Sequence, residues 1–263
     1  MSDQRYDAII VGGGHNGLTC GAYLAKAGVK TLVVERRPIV GGAAVTEEII
    51  PGFRASTFSY IMGHVHPKVI NDLKLKEHGL EFLPMREVIT PLDDGDYIVF
   101  THDKQKNLEQ IARFSKKDAE AWPAFFDYMQ GAIQVVRDLL LETPVDPSTG
   151  RWRDFKNSAR LLWQHRKIGK HFHRLADALT MSAHDYVSQW FESDVVKAVI
   201  CYWAVIGNSV GPYAPNTAFN ILFHLVGENG MGFARGGMGS ISEAIAAAGR
   251  QHGMEIRTDA PVA

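Results

Sequence analysis

The sequence predicts an α/β protein in which a parallel sheet is interrupted by a long, mostly helical insertion. A strand, a glycine-rich turn, a helix and a second strand follow one another in residues 7–35. From residue 107 onward the spacing of apolar residues becomes helical, and residues 241–258 then read as a helix followed by a short strand. A strand that follows a helix after such an insertion is expected to extend the first sheet in parallel.

The first elements are defined by short apolar runs. Residues 8–11 (AIIV) are long enough for a buried parallel strand and too short for a helix. Residues 18–27 predict a helix that stops at Gly28, and residues 30–34 predict a second buried strand that ends at Glu35. The turn between the first strand and the helix reads GGGHNG, a G-x-G-x-x-G pattern. Its position after a strand and before a helix is typical of dinucleotide binding.

Each part of this pattern has a physical role in holding a dinucleotide. Gly12 permits the tight turn, Gly14 lets the backbone approach a pyrophosphate, and Gly17 lets the helix pack closely on the strand. The helix N-terminus offers unpaired N–H groups and a positive dipole to the phosphates. Glu35 follows about 20 residues after the turn, where a carboxylate accepts hydrogen bonds from a ribose diol.

The residues after Glu35 indicate FAD rather than NAD. Arg36-Arg37-Pro38-Ile39-Val40 leads to a pair of glycines, Gly41 and Gly42. This spacing from the acid to the glycine pair resembles the flavin-binding class of amine oxidases and carotenoid desaturases. That class uses the glycine pair to run a second backbone segment against the FAD phosphates, which a domain binding only a nicotinamide dinucleotide does not need.

Composition excludes several other classes. The 263 residues carry a formal net charge of −1, which gives no reason to expect nucleic acid as a partner. The two cysteines, Cys20 and Cys201, are too far apart for a dithiol redox centre or a thiolate zinc site and are interpreted as small apolar fillers. Residues 195–206 are the longest apolar run, but Lys197 interrupts it. The first strand begins so early that no targeting segment is expected, and a soluble, cytoplasmic protein is predicted.

The insertion is predicted to be a helical substrate cap with a small β element. Asp94-Gly95 favours a hairpin between residues 88–92 and 97–101. Helices are predicted at residues 107–142 with a break near Trp122-Pro123, at 155–179, 182–190 and 194–206, and up to about residue 226. Near the end, Ser240 and Glu243 have the spacing of a capping box. The predicted domains are therefore 1–66 (FAD-binding, first part), 67–232 (cap) and 233–263 (FAD-binding, returning helix and strand).

Longer motifs carry a resemblance to a known family. The segments GGGHNGL, LAKAG and VVERRPIVGGAAVTEEIIPGF, with IARFSKKDA, DYVSQWFES and GGMGSISEAIAAA further on, resemble the phytoene-dehydrogenase-related flavoproteins. Within that family they look most like the subgroup called pyridine nucleotide-disulfide oxidoreductase domain-containing protein 2. The resemblance spans essentially the whole chain and implies a Rossmann-type FAD-binding domain, of the amine oxidase and carotenoid desaturase kind, with an inserted helical substrate cap.

The resemblance also assigns cofactor-binding residues. The pyrophosphate turn takes Gly12, Gly14, His15, Asn16 and Gly17, and Glu35 takes the adenosine ribose. The phosphate and ribityl side takes Arg36, Gly41, Gly42, Ala43 and Ala44, and Val262 falls where the wider class contacts adenine through its backbone. Carotenoid desaturases have Arg after the glycine pair, where this chain has Ala43. One phosphate contact is therefore expected to be missing or to come from Arg36 or Arg37.

The activity implied by the resemblance is FAD-dependent removal of hydride from a small apolar or amine-bearing substrate. No residue pattern identifies a catalytic base. The alternative is a non-catalytic binding module like the Rab GDP-dissociation inhibitors, which use the same fold to bind a protein with its lipid tail. Family members are about twice as long, so a C-terminal half of the same protein is an expected partner, and the isolated chain is expected to self-associate.

Three further patterns were weighed against simpler interpretations. His64 and His66 have H-x-H spacing, but no nearby acid or cysteine completes a ligand set, so no metal site is predicted. Asp93, Asp94 and Asp96 are explained by the hairpin. In residues 151–175, basic residues are interleaved with Leu, Trp, Ile and Phe. A solvated basic face over a core-facing stripe and a peripheral membrane contact are the two interpretations of this segment.

Overall fold

The computed structural model describes residues 5–144, 146, 148, 151–164, 166, 169–227 and 230–263. The chain divides into two units, Met1–Met85 with Gly227–Ala263 and Arg86–Val226. Residues 67–85, which the sequence assigned to the cap, lie in the first unit. The reason is tertiary pairing: the Tyr23 hydroxyl donates a hydrogen bond to Asp72, and residues 82–84 pair with residues 232–234.

The first unit contains strands, helices and two short antiparallel pairs. In chain order they are β1 (Ala8–Val11), α1 (His15–Lys26), β2 (Thr31–Val34), β3 (Thr46–Ile50), β4 (Phe53–Ser56), α2 (Pro67–Asp72), β5 (Phe82–Pro84), β8 (Gly232–Ala234), α10 (Gly239–Gln251) and β9 (Glu255–Arg257). β1, β2 and β9 form a parallel sheet in the order β1-β2-β9, with Ala8 opposite Thr31 and Leu32 opposite Glu255. The predicted return of the chain to the first sheet is therefore confirmed.

Two glycines allow α1 and α10 to pack closely around one methionine. A β-carbon added at Gly21 would lie 2.6 Å from the Met254 sulfur, and one added at Gly249 would lie 2.2 Å from the Met254 methyl carbon. Met254 is buried, and Leu18, Ala22 and Ile245 belong to the same apolar core. Small residues on both helices thus set the spacing of the layer that supports the glycine-rich turn.

The prediction that β1 is buried is wrong for one of its faces. Ile9 is 61% exposed and Val11 is 68% exposed, whereas Leu32 and Val33 of the neighbouring β2 are buried. β1 is an edge strand, so it has a hydrogen-bonded neighbour on one side only. An apolar run alone indicates a strand that is able to be buried, and tertiary structure decides whether both of its faces are covered.

The second unit is mostly helical. Its elements are β6 (Glu87–Pro91), β7 (Tyr97–Thr101), α3 (Lys104–Ala112), α4 (Lys116–Leu139), α5 (Trp152–Gln164), a short 3-10 helix (Gly169–His171), α6 (Phe172–Thr180), α7 (Ala183–Ser188), α8 (Asp194–Val205) and α9 (Ala218–Leu225). β6 and β7 form the predicted hairpin, with Gly95 at a φ of +85° in its turn. The Asp94 side chain accepts a hydrogen bond from the Asp96 N–H inside that turn.

Two helix boundaries differ from the predictions. α4 runs through Pro123, and the break lies at Ser115, whose side chain accepts from the Asp118 N–H as an N-cap. Packing keeps the helix continuous, because Phe125 is fully buried and Trp122 stacks on Phe100 at 5.3 Å between ring centroids. The predicted long helix over 155–179 is divided into α5, the 3-10 helix and α6. Within the described residues, no helix is both long and apolar enough to cross a membrane.

Candidate functional site

The glycine-rich turn takes the conformation that its sequence predicts. Gly12 has a φ of +104°, which only glycine adopts easily, and its N–H donates to the Val34 carbonyl at 2.8 Å. A β-carbon at Gly17 would lie 2.1 Å from the Gly12 carbonyl oxygen. Gly17 is therefore required for the close approach of α1 to the turn. The roles of turn and packing predicted for these two glycines follow directly from these contacts.

The N-terminus of α1 offers backbone donors to an anion. Gly14 is the N-cap and makes no side-chain capping hydrogen bond, and the first turn of the helix contains no acidic residue. The first hydrogen bond within the helix runs from the Leu18 N–H to the Gly14 carbonyl at 2.9 Å. The N–H groups that precede it point out of the helix end, where the helix dipole favours negative charge. The His15 and Asn16 side chains lie beside them, that of His15 partly exposed and that of Asn16 exposed.

Glu35 is buried at the end of β2 and faces the turn. One of its carboxylate oxygens accepts from the Gly13 N–H at 2.7 Å, and the other accepts from the Arg37 N–H at 2.9 Å. The carboxylate is therefore fixed by two backbone donors. This geometry confirms that Glu35 and the turn are neighbours.

Gly13 is a functional position that the sequence analysis missed. A β-carbon there would lie 3.0 Å from the Glu35 β-carbon. The absence of a side chain at Gly13 therefore lets the acid reach the backbone. The signal that could have found it is the third consecutive glycine in the GGG run.

The glycine pair forms the second backbone segment beside the turn. Gly14 and Gly41 form an isolated parallel bridge, and the Gly41 N–H donates to the Gly13 carbonyl at 2.8 Å. A β-carbon at Gly42 would come within 3.2 Å of the Gly14 α-carbon, so a side chain there would press on the turn. Gly41 and Gly42 both have positive φ angles, 125° and 58°.

Ala44 is anchored at the end of this segment by the last helix of the first unit. The Ser242 hydroxyl of α10, which is fully buried, donates to the Ala44 carbonyl at 2.7 Å. This bond fixes the backbone that follows the glycine pair. Sequence reasoning did not identify Ser242, because it lies about two hundred positions away from its partner.

The N-terminus of α10 is capped differently from the prediction. The helix begins at Gly239 with Met238 as N-cap, and Ser240 does not cap it; its hydroxyl donates to the Gly237 carbonyl instead. The caps come from the β3–β4 hairpin. The Thr46 hydroxyl accepts from the Gly239 N–H at 2.9 Å, and the Ser56 hydroxyl accepts from the Met238 N–H at 3.0 Å. The capping-box interpretation of Ser240 and Glu243 is wrong because these distant hydroxyls occupy the helix end.

The remaining predicted residues differ in their surroundings. Arg36 and Ala43 are exposed, whereas the Arg37 guanidinium forms an ion pair with Glu47. Of the two arginines expected near the phosphates, Arg37 is therefore already engaged by a carboxylate. Val262 is 61% exposed. It lies two residues beyond Ala260, whose N–H donates to the Glu35 carbonyl at 2.9 Å, so this segment is tied to the end of β2.

A cavity of about 560 Å³ continues from the helix end within the first unit. His15, Asn16 and Cys20 line it on the α1 side, and Ala43 and Ala44 line it after the glycine pair. Its remaining wall is formed by residues 59, 61–66 and 69 and by Met238, Ile241 and Ile245. Cys20 is exposed to this cavity, so its interpretation as a core filler is wrong. Cys201 is buried as expected, and burial raises the pKa of its thiol to about 11.

The H-x-H pair has a structural explanation. The His66 Nδ1 accepts from the Lys68 N–H at 3.0 Å and thereby caps the short helix α2. Among the described residues, no group of three or more His, Cys, Asp or Glu side chains is placed to hold a metal ion.

The basic segment 151–175 is only partly described. Lys167 and Ile168 lie outside the described residues, as do the side chains of Leu161, Leu162 and Lys170. In α5 the aromatic residues are the exposed ones, Trp152 at 75%, Phe155 at 64% and Trp163 at 68%. Asp154 and Ser158 are less exposed than these rings. In the described part of α5, the aromatic residues therefore do not form a core-facing stripe.

Comparison with known proteins places these features among oxidoreductases. Residues 10–73 match the family model of an NAD(P)-binding Rossmann-like domain. The chain is 37% identical to pyridine nucleotide-disulfide oxidoreductase domain-containing protein 2 of Rattus norvegicus, covering 98% of this chain and 48% of that protein. It is 30% identical to a limonene dehydrogenase subunit of Castellaniella defragrans, covering 96% and 44%. The chain thus spans about half the length of these relatives.

Solved structures show the same fold. Putrescine oxidase with bound putrescine superposes with a TM-score of 0.55 at 18% sequence identity, covering 98% of this chain and 52% of that one. At this identity the likeness concerns the fold alone. It agrees with a Rossmann-like arrangement of helices and strands around the glycine-rich turn. The homologues of this chain therefore include pyridine nucleotide-disulfide oxidoreductase domain-containing protein 2 and a limonene dehydrogenase, and the resemblance indicated by its motifs is confirmed.

Proposed function

We propose that the first unit binds FAD and that the chain is part of an FAD-dependent oxidoreductase. The observation that carries this proposal is the parallel bridge between Gly14 and Gly41. It lays a second backbone segment along the phosphate turn, as the resemblance to FAD-binding proteins implies. The match to an NAD(P)-binding model is compatible with this proposal, because both dinucleotides use the same strand–turn–helix unit for their pyrophosphate.

The residues present fit such a cofactor. The open side of Gly14 has no atom closer to an added β-carbon than the Gly42 α-carbon at 3.9 Å, so a phosphate has room to approach the backbone. The cavity beyond it runs past Ala43 and Ala44 towards residues 61–66, with space for the ribityl side of FAD. The Glu35 carboxylate, at the end of the neighbouring strand, would accept from the ribose hydroxyls.

The protein's part in the reaction is binding, orientation and exclusion of water. The helix end would neutralise the pyrophosphate, Glu35 would orient the adenosine, and the Gly41–Ala44 backbone would hold the phosphate and ribityl side. FAD, when bound, supplies the site that accepts hydride from the substrate. We propose a small apolar or amine-bearing molecule as the substrate, and we assign no residue of this chain as a catalytic base.

The test is a visible absorption spectrum of the purified protein, followed by titration of the apoprotein with FAD and with NAD⁺. We expect flavin absorption or uptake of added FAD and much weaker binding of NAD⁺. Colourless protein that takes up no FAD would overturn the proposal and favour the non-catalytic binding module.

The matched variants for this test are Glu35→Ala and Glu48→Ala. A charge-assisted hydrogen bond contributes about 1.5–3 kcal/mol. Glu35→Ala should therefore raise the FAD dissociation constant about tenfold or more, at about 1.4 kcal/mol per decade. Glu48 is exposed on β3 and accepts only from the nearby Gly52 N–H among the hydrogen bonds described, so Glu48→Ala should leave FAD binding unchanged. Equal FAD affinity in both variants would show that Glu35 does not contact the ribose.

A further inference from the structure

The helical unit contains a second cavity, of about 200 Å³, that the dinucleotide site does not use. It lies between the β6–β7 hairpin and helices α4, α8 and α9, and all of its lining residues belong to the second unit. We propose that this cavity binds a compact, uncharged, hydrocarbon-like molecule about the size of one substituted ring.

Aromatic side chains form much of the cavity wall. Trp122 stacks on Phe100 with ring centroids 5.3 Å apart and meets Phe126 at 5.5 Å. On the α8 side, Trp203 meets Tyr202 edge-on at 5.3 Å. Rings that pack on one another in this way have few alternative rotamers. The cavity wall therefore has a defined shape, which favours a compact ligand over a flexible chain.

The polar groups in the wall are directed at the protein itself. The Asn107 side chain accepts from the Thr101 N–H at 2.8 Å and donates to the Thr101 carbonyl at 2.9 Å. The Thr101 hydroxyl accepts from the Asp103 N–H at 3.0 Å. Among the described residues that line the cavity, none carries a charge. A ligand with an ammonium group would lose its hydration there without gaining a carboxylate partner.

The volume limits the size of the ligand. An apolar cavity of about 150 Å³ stays dry and binds benzene. The cavity in this unit is somewhat larger, so it suits a ring with a short alkyl substituent. Burial of that apolar surface is the driving force, and the ligand needs no hydrogen bond of its own.

The identification of this ligand with a substrate rests on the proposed function. If the chain is part of an FAD-dependent oxidoreductase, the cavity selects the apolar branch of the proposed substrates over the amine-bearing branch. Binding of the ligand by the second unit does not require FAD. The two proposals therefore fail separately: loss of FAD binding with ligand binding intact overturns only the first, and the reverse result overturns only the second.

The experiment compares two probes of the same carbon skeleton, n-butylbenzene and 4-phenylbutylamine, at neutral pH. Both are titrated into the purified protein without added FAD, and the tryptophan fluorescence is followed because Trp122 and Trp203 line the cavity. We expect saturable binding of n-butylbenzene and at least tenfold weaker binding of the charged amine. Equal or tighter binding of the amine would mean that the rings hold a cation, and the proposal would be wrong.

A cavity-filling variant locates the binding site. Thr90 lines the cavity from β6, and the neighbouring Ile89 is exposed on the other face of the strand. Thr90→Phe should weaken n-butylbenzene binding at least tenfold, and Ile89→Phe should leave it unchanged. Circular dichroism checks that both variants fold. If Thr90→Phe does not fold, Leu225→Trp fills the cavity from α9 and should have the same effect. Undiminished binding in a folded filling variant would overturn the proposal.

Discussion

The glycines of the first turn differ in what surrounds them. At Gly17 the Gly12 carbonyl oxygen occupies the place of a side chain, whereas at Gly14 an added β-carbon meets nothing closer than 3.9 Å. Gly14 also has a φ of −70° and a ψ of 166°, an extended conformation that any residue adopts. The two positions therefore separate a requirement of folding from a requirement of binding, although both belong to one sequence pattern.

We predict opposite outcomes for substitutions at these two glycines. Gly14→Val should leave the fold and its melting temperature nearly unchanged and should abolish FAD binding, because the branched side chain fills the space that the pyrophosphate needs. Gly17→Ala should destabilise the protein by about 1–3 kcal/mol, the usual cost of overpacking. Thermal unfolding followed by circular dichroism and an FAD titration distinguish the two. Full flavin occupancy in Gly14→Val would place the phosphates elsewhere.

At the scale of elements, the returning helix α10 depends on hydroxyl groups far away in the sequence. Thr46 is buried and accepts from the Gly239 N–H, and Gly239 and Gly237 have no side chains that would clash with it. A β-carbon at Gly237 would lie 2.4 Å from the Thr46 hydroxyl oxygen. The small residues of the GGMGS segment thus allow the hairpin to cap the helix.

We predict that Thr46→Val is more harmful than Ser240→Ala. Loss of an N-cap hydroxyl costs about 0.5–2 kcal/mol. Thr46→Val should therefore lower the melting temperature by several degrees, since about 2–4 °C corresponds to each kcal/mol in a protein of this size. Ser240→Ala removes only a hydrogen bond to the Gly237 carbonyl and should have a smaller effect. The reverse order would support the capping box at Ser240 that the structure replaces.

Helix α5 is the element whose chemistry suggests a lipid surface. Trp152, Phe155 and Trp163 lie on one side by helical spacing and are exposed. Arg153, Lys156 and Arg160 are exposed beside them, so positive charge flanks the aromatic side chains. An exposed aromatic face with flanking basic residues is typical of helices that lie on anionic bilayers. We therefore propose an anionic lipid surface as the partner of this face.

The corresponding prediction concerns co-sedimentation with vesicles that contain an anionic lipid. We expect the protein to bind them at low salt, and the double variant Trp152→Ala/Trp163→Ala to bind at least tenfold more weakly. Tyr213→Ala, which removes an equally exposed aromatic ring from the same unit, is the control and should bind like the parent. High salt should weaken binding through screening of the basic residues. No binding to any vesicle would make the face an ordinary exposed surface.

At the scale of the whole molecule, the two edges of the parallel sheet differ in character. β9 carries Glu255 and Arg257, charged residues that discourage pairing with another chain. β1 instead exposes Ile9 and Val11, and the β3–β4 hairpin of the same unit exposes Ile49, Ile50 and Phe53. The more apolar of the two sheet edges is therefore at β1, and it is where unspecific association would begin.

We predict that the chain self-associates in solution and that Ile9→Thr/Val11→Thr reduces this association. Threonine keeps a high strand propensity and removes apolar surface. Ile89→Thr, at a similarly exposed position in the second unit, serves as the control. Size-exclusion chromatography with light scattering over a range of concentrations measures the effect. A monodisperse monomer at all concentrations would contradict the prediction.

The sequence alone determined the strand–turn–helix–strand unit and the meeting of Glu35 with the turn. Both depend on local chemistry: apolar period, positive φ at Gly12 and an acid at the end of a strand. It also determined that the last strand returns to the first sheet, because the rules for connecting parallel strands leave few alternatives. These features are set by residues that are neighbours in sequence or by topology.

Only the tertiary structure decided which contacts join distant residues. Thr46 and Ser56 cap α10, Ser242 anchors Ala44, and packing of Trp122 carries α4 through Pro123. Local patterns did not predict these outcomes, because a hydroxyl or an aromatic ring has the same propensity whatever it meets. The cavity in the second unit is also a product of packing. Its wall comes from several elements that no sequence spacing brings together, so its shape and its apolar character exist only in the folded chain.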